Sequence, residues 1–421
     1  MLGAIIGDIA GSVYEFAVKQ VSVLDGRELF GSEANYTDDT LMTLAVYEGL
    51  SDAGGDPASG PRAVAEAMRR VGTTLRPLGR GGFGRGFARW LVSSDPKPYN
   101  SCGNGSAMRV SSVGWMFPTL ELTEQWAQIT AAVTHNHSEG IKGAQATAAS
   151  IFLARTGCDK QQIKAYVESR FGYDLSRSWD DVSSGDNSGT TCQVTVPQAL
   201  SAFLRASTFE ETIRLAISLG WDTDTRAAIA GSVAEAYYGI YPDTWRDAAR
   251  SRLAPPLAEL LDRFKAETVV QRMVALLAPY YGHFVAVAAG EADGQARVPG
   301  TARLEHCGLV GVGPLEADLC HFDLMDYEGV VFEQQKTRPG EGLTSALDPA
   351  RADAAQLASI LCWHVKGGRH AEGVQTAALR DGTFAAITRR AFELAGMPPP
   401  AAPEKNKHQV GIPGRQTKKE S

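Results

Sequence analysis

Residues 36–40, YTDDT, and residues 220–225, GWDTDT, constrain this chain more than any other feature, because each sets carboxylates and hydroxyls immediately before an apolar helical pattern. One such run is ordinary helix capping, in which Asp or Thr oxygens accept the free N–H groups of a first turn. Two of them invite a shared cation. Thr37, Asp38 and Asp39 with Asp222, Asp224 and Thr225 form an oxygen-only set without His or Cys, the donor chemistry of a hard divalent ion. If the runs meet in space, their carboxylates repel and their pKa values rise unless cations lie between them.

The rest of the first 264 or so residues is mostly helical in pattern. Apolar residues recur at three- and four-residue intervals over residues 39–50, 61–71, 123–133, 140–154, 161–171, 208–219 and 226–238, and strand-like runs are few. The intervening loops are rich in Gly, Asn, Asp and Ser, as in NSCGNGSAMR and SSGDNSGTT. This predicts an all-α body over residues 1–264 with its chemistry on helix starts and loops. After residue 268 the pattern changes: short strand-like stretches precede two amphipathic helical segments, predicting a smaller α+β domain over residues 268–397. Residues 398–421, Pro-rich and then basic, predict a disordered tail.

Composition narrows the functional classes. A chain of 421 residues with 44% hydrophobic content can build its core without staples. Its formal charge of −7 gives no general basic footprint, so a nucleic-acid partner is not implied, although a nucleic-acid base remains open as a modified acceptor. The apolar start MLGAIIGDIAGSV carries Asp8 and no preceding basic residue, unlike a signal peptide. No apolar run reaches the ~18 residues that a membrane helix needs. Six cysteines lack C-x-x-C spacing, which fits a reducing compartment. A cytoplasmic monomer is the expectation.

Three further segments carry candidate chemistry. In GDIAGSVYEF, residues 7–16, Gly7, Gly11 and Ser12 allow close backbone approach, and Glu15 could act as general acid or base. CGNGSAMRV, residues 102–110, is a glycine loop at a helix start, whose N–H groups suit an anion. In THNHSEG, residues 134–140, the two histidines lack a third soft ligand for zinc, which leaves His135 to hydrogen-bond a ligand oxygen.

In this order, GDIAGSVYEF, YTDDT, GNGSAMRV, THNHSEG and WDTDTRAAIAGSVAEAYYG resemble the ADP-ribosylglycohydrolase family, over about the first 262 residues. The resemblance implies an all-α orthogonal bundle with two Mg2+ ions, or Mn2+, at the bottom of a cleft. It implies Thr37, Asp38 and Asp39 on one ion, Asp222, Asp224 and Thr225 on the second, and Glu15 beside them. Gly103, Asn104, Gly105, Ser106, Met108 and Arg109 would cradle the pyrophosphate of ADP-ribose, and His135 would contact a ribose or phosphate oxygen. The implied reaction is hydrolysis of the N- or O-glycosidic bond between ADP-ribose and an acceptor, on an ADP-ribosylated protein or other molecule, with Glu15 or Asp38 handling the proton. Trp221 departs from the pattern, standing where many relatives have glycine, and is expected at the cleft wall or on substrate. A non-catalytic ADP-ribose reader and a two-metal phosphodiesterase or phosphatase are the competing readings.

Overall fold

The computed structural model describes residues 1–16, 28–79, 82–239, 241–277, 280–290, 348–367 and 378–396. Their regular structure is helical, and among the described residues the one β-type pairing is the isolated bridge between Gly103 and Thr191. The strand-like stretches expected around residues 303–335 and the tail at 398–421 lie outside the described residues. The two amphipathic segments expected near the C-terminus are helices, Ala354–Gly367 and Thr383–Leu394. Among the described residues, no helix is long and apolar enough to cross a membrane.

Seven anticipated helices are present, with ends shifted by up to three residues: α2 (Asp38–Ala53), α3 (Gly60–Thr74), α7 (Leu120–Ala132), α8 (Ser138–Arg155), α9 (Lys160–Phe171), α12 (Phe209–Ser218) and α13 (Thr223–Tyr238). Further helices were not among those expected. The most consequential is α1 (Leu2–Gly11), in which every residue is buried. A helix buried all round shows no polar face, so periodicity does not reveal it.

Helices α1 and α13 form the centre of the body, packed backbone to backbone through small residues at four-residue intervals. A Cβ at Gly3 would lie 2.4 Å from the carbonyl oxygen of Gly231, and one at Gly7 would lie 2.1 Å from that of Ala227. A Cβ at Gly11 would lie 2.5 Å from that of Thr223. The ladder runs antiparallel, so the C-terminus of α1 meets the N-terminus of α13, and the hydroxyl of Thr223 donates to the carbonyl of Gly11 at 2.8 Å. Because the obstructing atoms are backbone, no side chain can turn away to make room. We therefore expect Gly7→Ala to destabilise the protein by about 3 kcal/mol or more, at the upper end of overpacking costs; a loss below about 1 kcal/mol in urea unfolding would contradict this contact.

Candidate metal centre and ligand cavity

The glycine ladder sets Glu15, in the turn after α1, beside the start of α13. Glu15, Asp222 and Asp224 each offer a carboxylate oxygen, and the three oxygens lie within 4.8 Å of one another. Helix α2 brings the other acidic run to the same place: Asp38, Asp39, Asp222, Asp224, Thr225 and Glu15 all line one cavity of about 390 Å3. Thr225 ties the runs together, its hydroxyl donating to Oδ2 of Asp39 at 3.2 Å. Two stretches some 180 residues apart in sequence thus converge.

Capping accounts for only part of these runs. Thr37 does cap α2, its hydroxyl oxygen accepting the backbone N–H of Asp39. Asp222 holds the N-cap position of α13 but makes no side-chain capping bond. Its Oδ2 instead accepts from Nδ2 of Asn104 at 2.5 Å. Thr37 is buried, and its hydroxyl donates to Oδ1 of Asp8 at 2.7 Å. It is not among the residues lining the cavity.

The residue that organises the α2 run is Asp8, which in the sequence is no more than a charge within an apolar start. Fully buried on α1, its carboxylate accepts from the backbone N–H groups of Thr37 at 2.9 Å and Thr40 at 3.0 Å. It also accepts from the Thr37 and Thr40 hydroxyls. Arg226 is a second unforeseen anchor. Fully buried directly after Thr225, it donates to Oε1 of Gln198 and to the backbone carbonyls of Gly220 and Asn187, which fixes the turn that carries Asp222. An internal charged residue in a helix leaves no pattern in the sequence that separates it from a surface one.

The electrostatics describe a site short of positive charge. Burial, then the neighbouring Asp222, Asp38 and Asp8, push Glu15 up to about 8. Burial and Asp8 push Asp38 up to about 7. Asp39 and Asp224 lie well above the usual carboxylate range, first through burial and then through the surrounding acids. Oδ1 of Asp39 is buried without a hydrogen-bond partner. Convergent carboxylates, a hydroxyl and an orphaned buried oxygen fit a hard divalent cation, which would supply the missing partner and relieve the repulsion.

The far side of the cavity is built from the glycine loop. Asn104 N–H donates to the carbonyl of Thr190 at 2.8 Å and Cys192 N–H to that of Cys102 at 3.0 Å, clamping residues 102–104 against the start of α11 (Cys192–Arg205). Gly103, Asn104, Gly105, Met108, Arg109 and His135 line the cavity. Ser106 does not: its hydroxyl donates to the carbonyl of Gly140 at 2.7 Å, binding the loop to α8. His135 turns Nε2 to the loop, 3.2 Å from where a Cβ on Gly105 would stand. A side chain at Gly105 would crowd this ring, which is why the position suits glycine.

Trp221 lies outside the cavity lining. Both it and Phe16 adopt left-handed backbone, with φ of +57° and +50°. Phe16 N–H donates to the Trp221 carbonyl at 2.7 Å, and the two rings meet edge to face at 5.4 Å. This clasp joins the residue after Glu15 to the residue before Asp222. Its rings remain 49% and 42% exposed, so they form the rim rather than the floor of the site.

The sequence pattern of the ADP-ribosylglycohydrolase family matches residues 1–273. ADP-ribosylhydrolase ARH3 of Mus musculus is 27% identical over 320 aligned residues, covering 58% of this chain and 85% of that protein. ADP-ribosylarginine hydrolase Tri1 of Pseudomonas putida (strain GB-1) is 30% identical over 294, covering 62% of this chain and 77% of the relative. A solved structure titled ADP-ribosylglycohydrolase-related protein complex overlaps 62% of this chain and 96% of its own, with a TM-score of 0.44 and 24% identity. With the family pattern spanning the whole body that bears the cavity and both acidic runs, the chain belongs to the ADP-ribosylglycohydrolase family.

Proposed function

We propose that this chain hydrolyses the glycosidic bond between ADP-ribose and a modified acceptor, releasing ADP-ribose. One observation carries the reading: the carboxylates of residues 36–40 and 220–225 converge at one end of a cavity whose other wall is the glycine loop with Arg109 and His135. The resemblance of five ordered motifs and the hydrolase names of the relatives support the choice of substrate.

Asp38, Asp39, Asp222, Asp224 and Thr225 would hold two divalent ions, Mg2+ or Mn2+, with Thr37 behind them and Glu15 at the edge. When bound, such ions supply Lewis acidity and a fixed template for the ribose hydroxyls and the attacking water. The chain does the rest. The glycine loop and the buried Arg109 charge would face the pyrophosphate, and His135 would bond a ligand oxygen. Glu15, partly exposed at the cavity edge, would pass the proton between water and leaving group as the oxocarbenium-like transition state is crossed. Holding ribose and water in one geometry contributes much of the rate.

The test incubates the full chain with a panel of ADP-ribosylated acceptors, on arginine, on serine, on a nucleic-acid base and on small molecules, with Mg2+ or with EDTA. We expect free ADP-ribose from at least one acceptor, and none in EDTA. AMP or inorganic phosphate as product would instead make the protein a phosphodiesterase or phosphatase. Tight ADP-ribose binding without release from any acceptor would make it a reader.

A further inference from the structure

Arg109 and His135 of the cavity wall are joined through a buried side chain that the reaction scheme does not use, Thr134. Nη2 of Arg109 donates to Oγ1 of Thr134 at 2.8 Å and to the carbonyl of Thr130 at 3.2 Å. The same Thr134 oxygen lies 2.7 Å from Nδ1 of His135. All three residues are buried, Thr134 completely. A guanidinium has no lone pair to offer and can only donate. Thr134 therefore accepts from Arg109, and among the described residues Nδ1 is the acceptor within reach of its one proton.

We propose that Thr134 is a positioning residue for the ligand cavity, whose hydroxyl, held by Arg109, donates to Nδ1 of His135 and so presents Nε2 as an N–H donor toward the loop at residues 103–105. A neutral imidazole carries one proton, and an accepting Nδ1 places it on Nε2. Burial, then the nearby Arg109 charge, hold His135 down to about 2, so the ring is neutral under all ordinary conditions. The direction of the ring agrees, since Nε2 is the atom that faces Gly105 and Gly103. Thr134 also fixes the wall beside His135, its carbonyl accepting the N–H of Tyr99, which lines the cavity with its ring centroid 6.1 Å from that of His135. The inference rests on the reading that the cavity takes ADP-ribose, whose phosphate and ribose oxygens are acceptors for such a donor.

The tautomer is read directly by long-range nitrogen–proton NMR on the ligand-free full chain, with the His135 signals assigned from their loss in His135→Gln. We expect the Nε2–H form in the wild type and in Thr134→Ser, and a shift toward Nδ1–H in Thr134→Val, which keeps the shape and removes the hydroxyl. ADP-ribose binding should weaken about tenfold in Thr134→Val, the worth of one well-placed hydrogen bond, and stay near wild type in Thr134→Ser. A wild-type Nδ1–H tautomer overturns the proposal, as does Thr134→Val binding ADP-ribose within about twofold of wild type. Nε2–H in a wild type that does not bind ADP-ribose upholds the relay and instead overturns the proposed ligand.

Discussion

Without divalent ions, the protein is expected to lose stability as the pH rises from about 4, the unfolded carboxylate range, through the folded-state values of about 7 for Asp38 and about 8 for Glu15. These groups bind protons more tightly folded than unfolded, so the folded state carries more protons in this window and each unit of pH costs stability. Mg2+ should reverse the loss, because a ligand that binds only the folded state at a hundred times its Kd contributes about 2.7 kcal/mol. Asp39→Asn and Asp224→Asn should do two things at once. Each removes a buried charge held among other acids, so the metal-free variant should melt higher than wild type at pH about 8 and respond less to Mg2+. Each should also lower ADP-ribose release on the order of 10²–10³-fold, the usual cost of losing one element of preorganised electrostatic stabilisation. Thermal melts across pH with EDTA and with Mg2+ decide the matter. A metal-free melting temperature that rises with pH across that window, or variants that still respond fully to Mg2+, would refute the shared site.

The second large effect is expected at Asp8, which no cavity-lining argument would select. Asp8→Ala removes the acceptor of four hydrogen bonds, two from backbone N–H groups and two from hydroxyls, all at the buried start of α2. Burial raises Asp8 to about 6, opposed by these same bonds to Thr40 and Thr37. Leaving such donors without a partner should cost about 3–5 kcal/mol, built from about 1–3 kcal/mol for each buried group left unsatisfied. Asp8→Asn should recover little, since its amide brings two donors to a place that supplies only donors. Urea unfolding measures the loss, and a change below about 1 kcal/mol would show that the α2 start holds without Asp8. Mg2+ affinity should fall in parallel, because the Asp38–Asp39 turn is held in place through Thr37 and Thr40.

Much of the site was legible in the sequence for a physical reason. A hard-cation site needs oxygen donors in a short run, and a helix start is where carboxylates and hydroxyls can sit beside unpaired N–H groups. Both constraints are local, so YTDDT and GWDTDT stand out, as do the glycine loop and His135. Asp8, Arg226 and Thr134 did not, because their importance lies in partners 29, 39 and 25 residues away. Nothing in the spacing distinguishes a buried Asp that accepts four bonds from a surface one. Ser106 shows the converse: it sits in the right motif, yet its hydroxyl is committed to Gly140 on the far side of the loop.

Trp221 makes the same distinction at a single residue. Its bulk beside the acidic run is visible in the sequence, whereas its left-handed φ of +57° and its ring against Phe16 are not. The edge-to-face contact and the Phe16 N–H bond help hold a backbone conformation that costs a non-glycine residue about 1–2 kcal/mol.

By itself, then, the sequence determined the helical class of the body, the two runs of carboxylates and hydroxyls and the family, since helical periodicity and short motifs are carried by neighbours along the chain. Tertiary structure alone decided that the two acidic runs meet, that Glu15 joins them and that Trp221 stands on the rim. The reason is the antiparallel packing of α1 on α13 through Gly3, Gly7 and Gly11, a contact between segments more than 200 residues apart whose closeness only the folded backbone reveals.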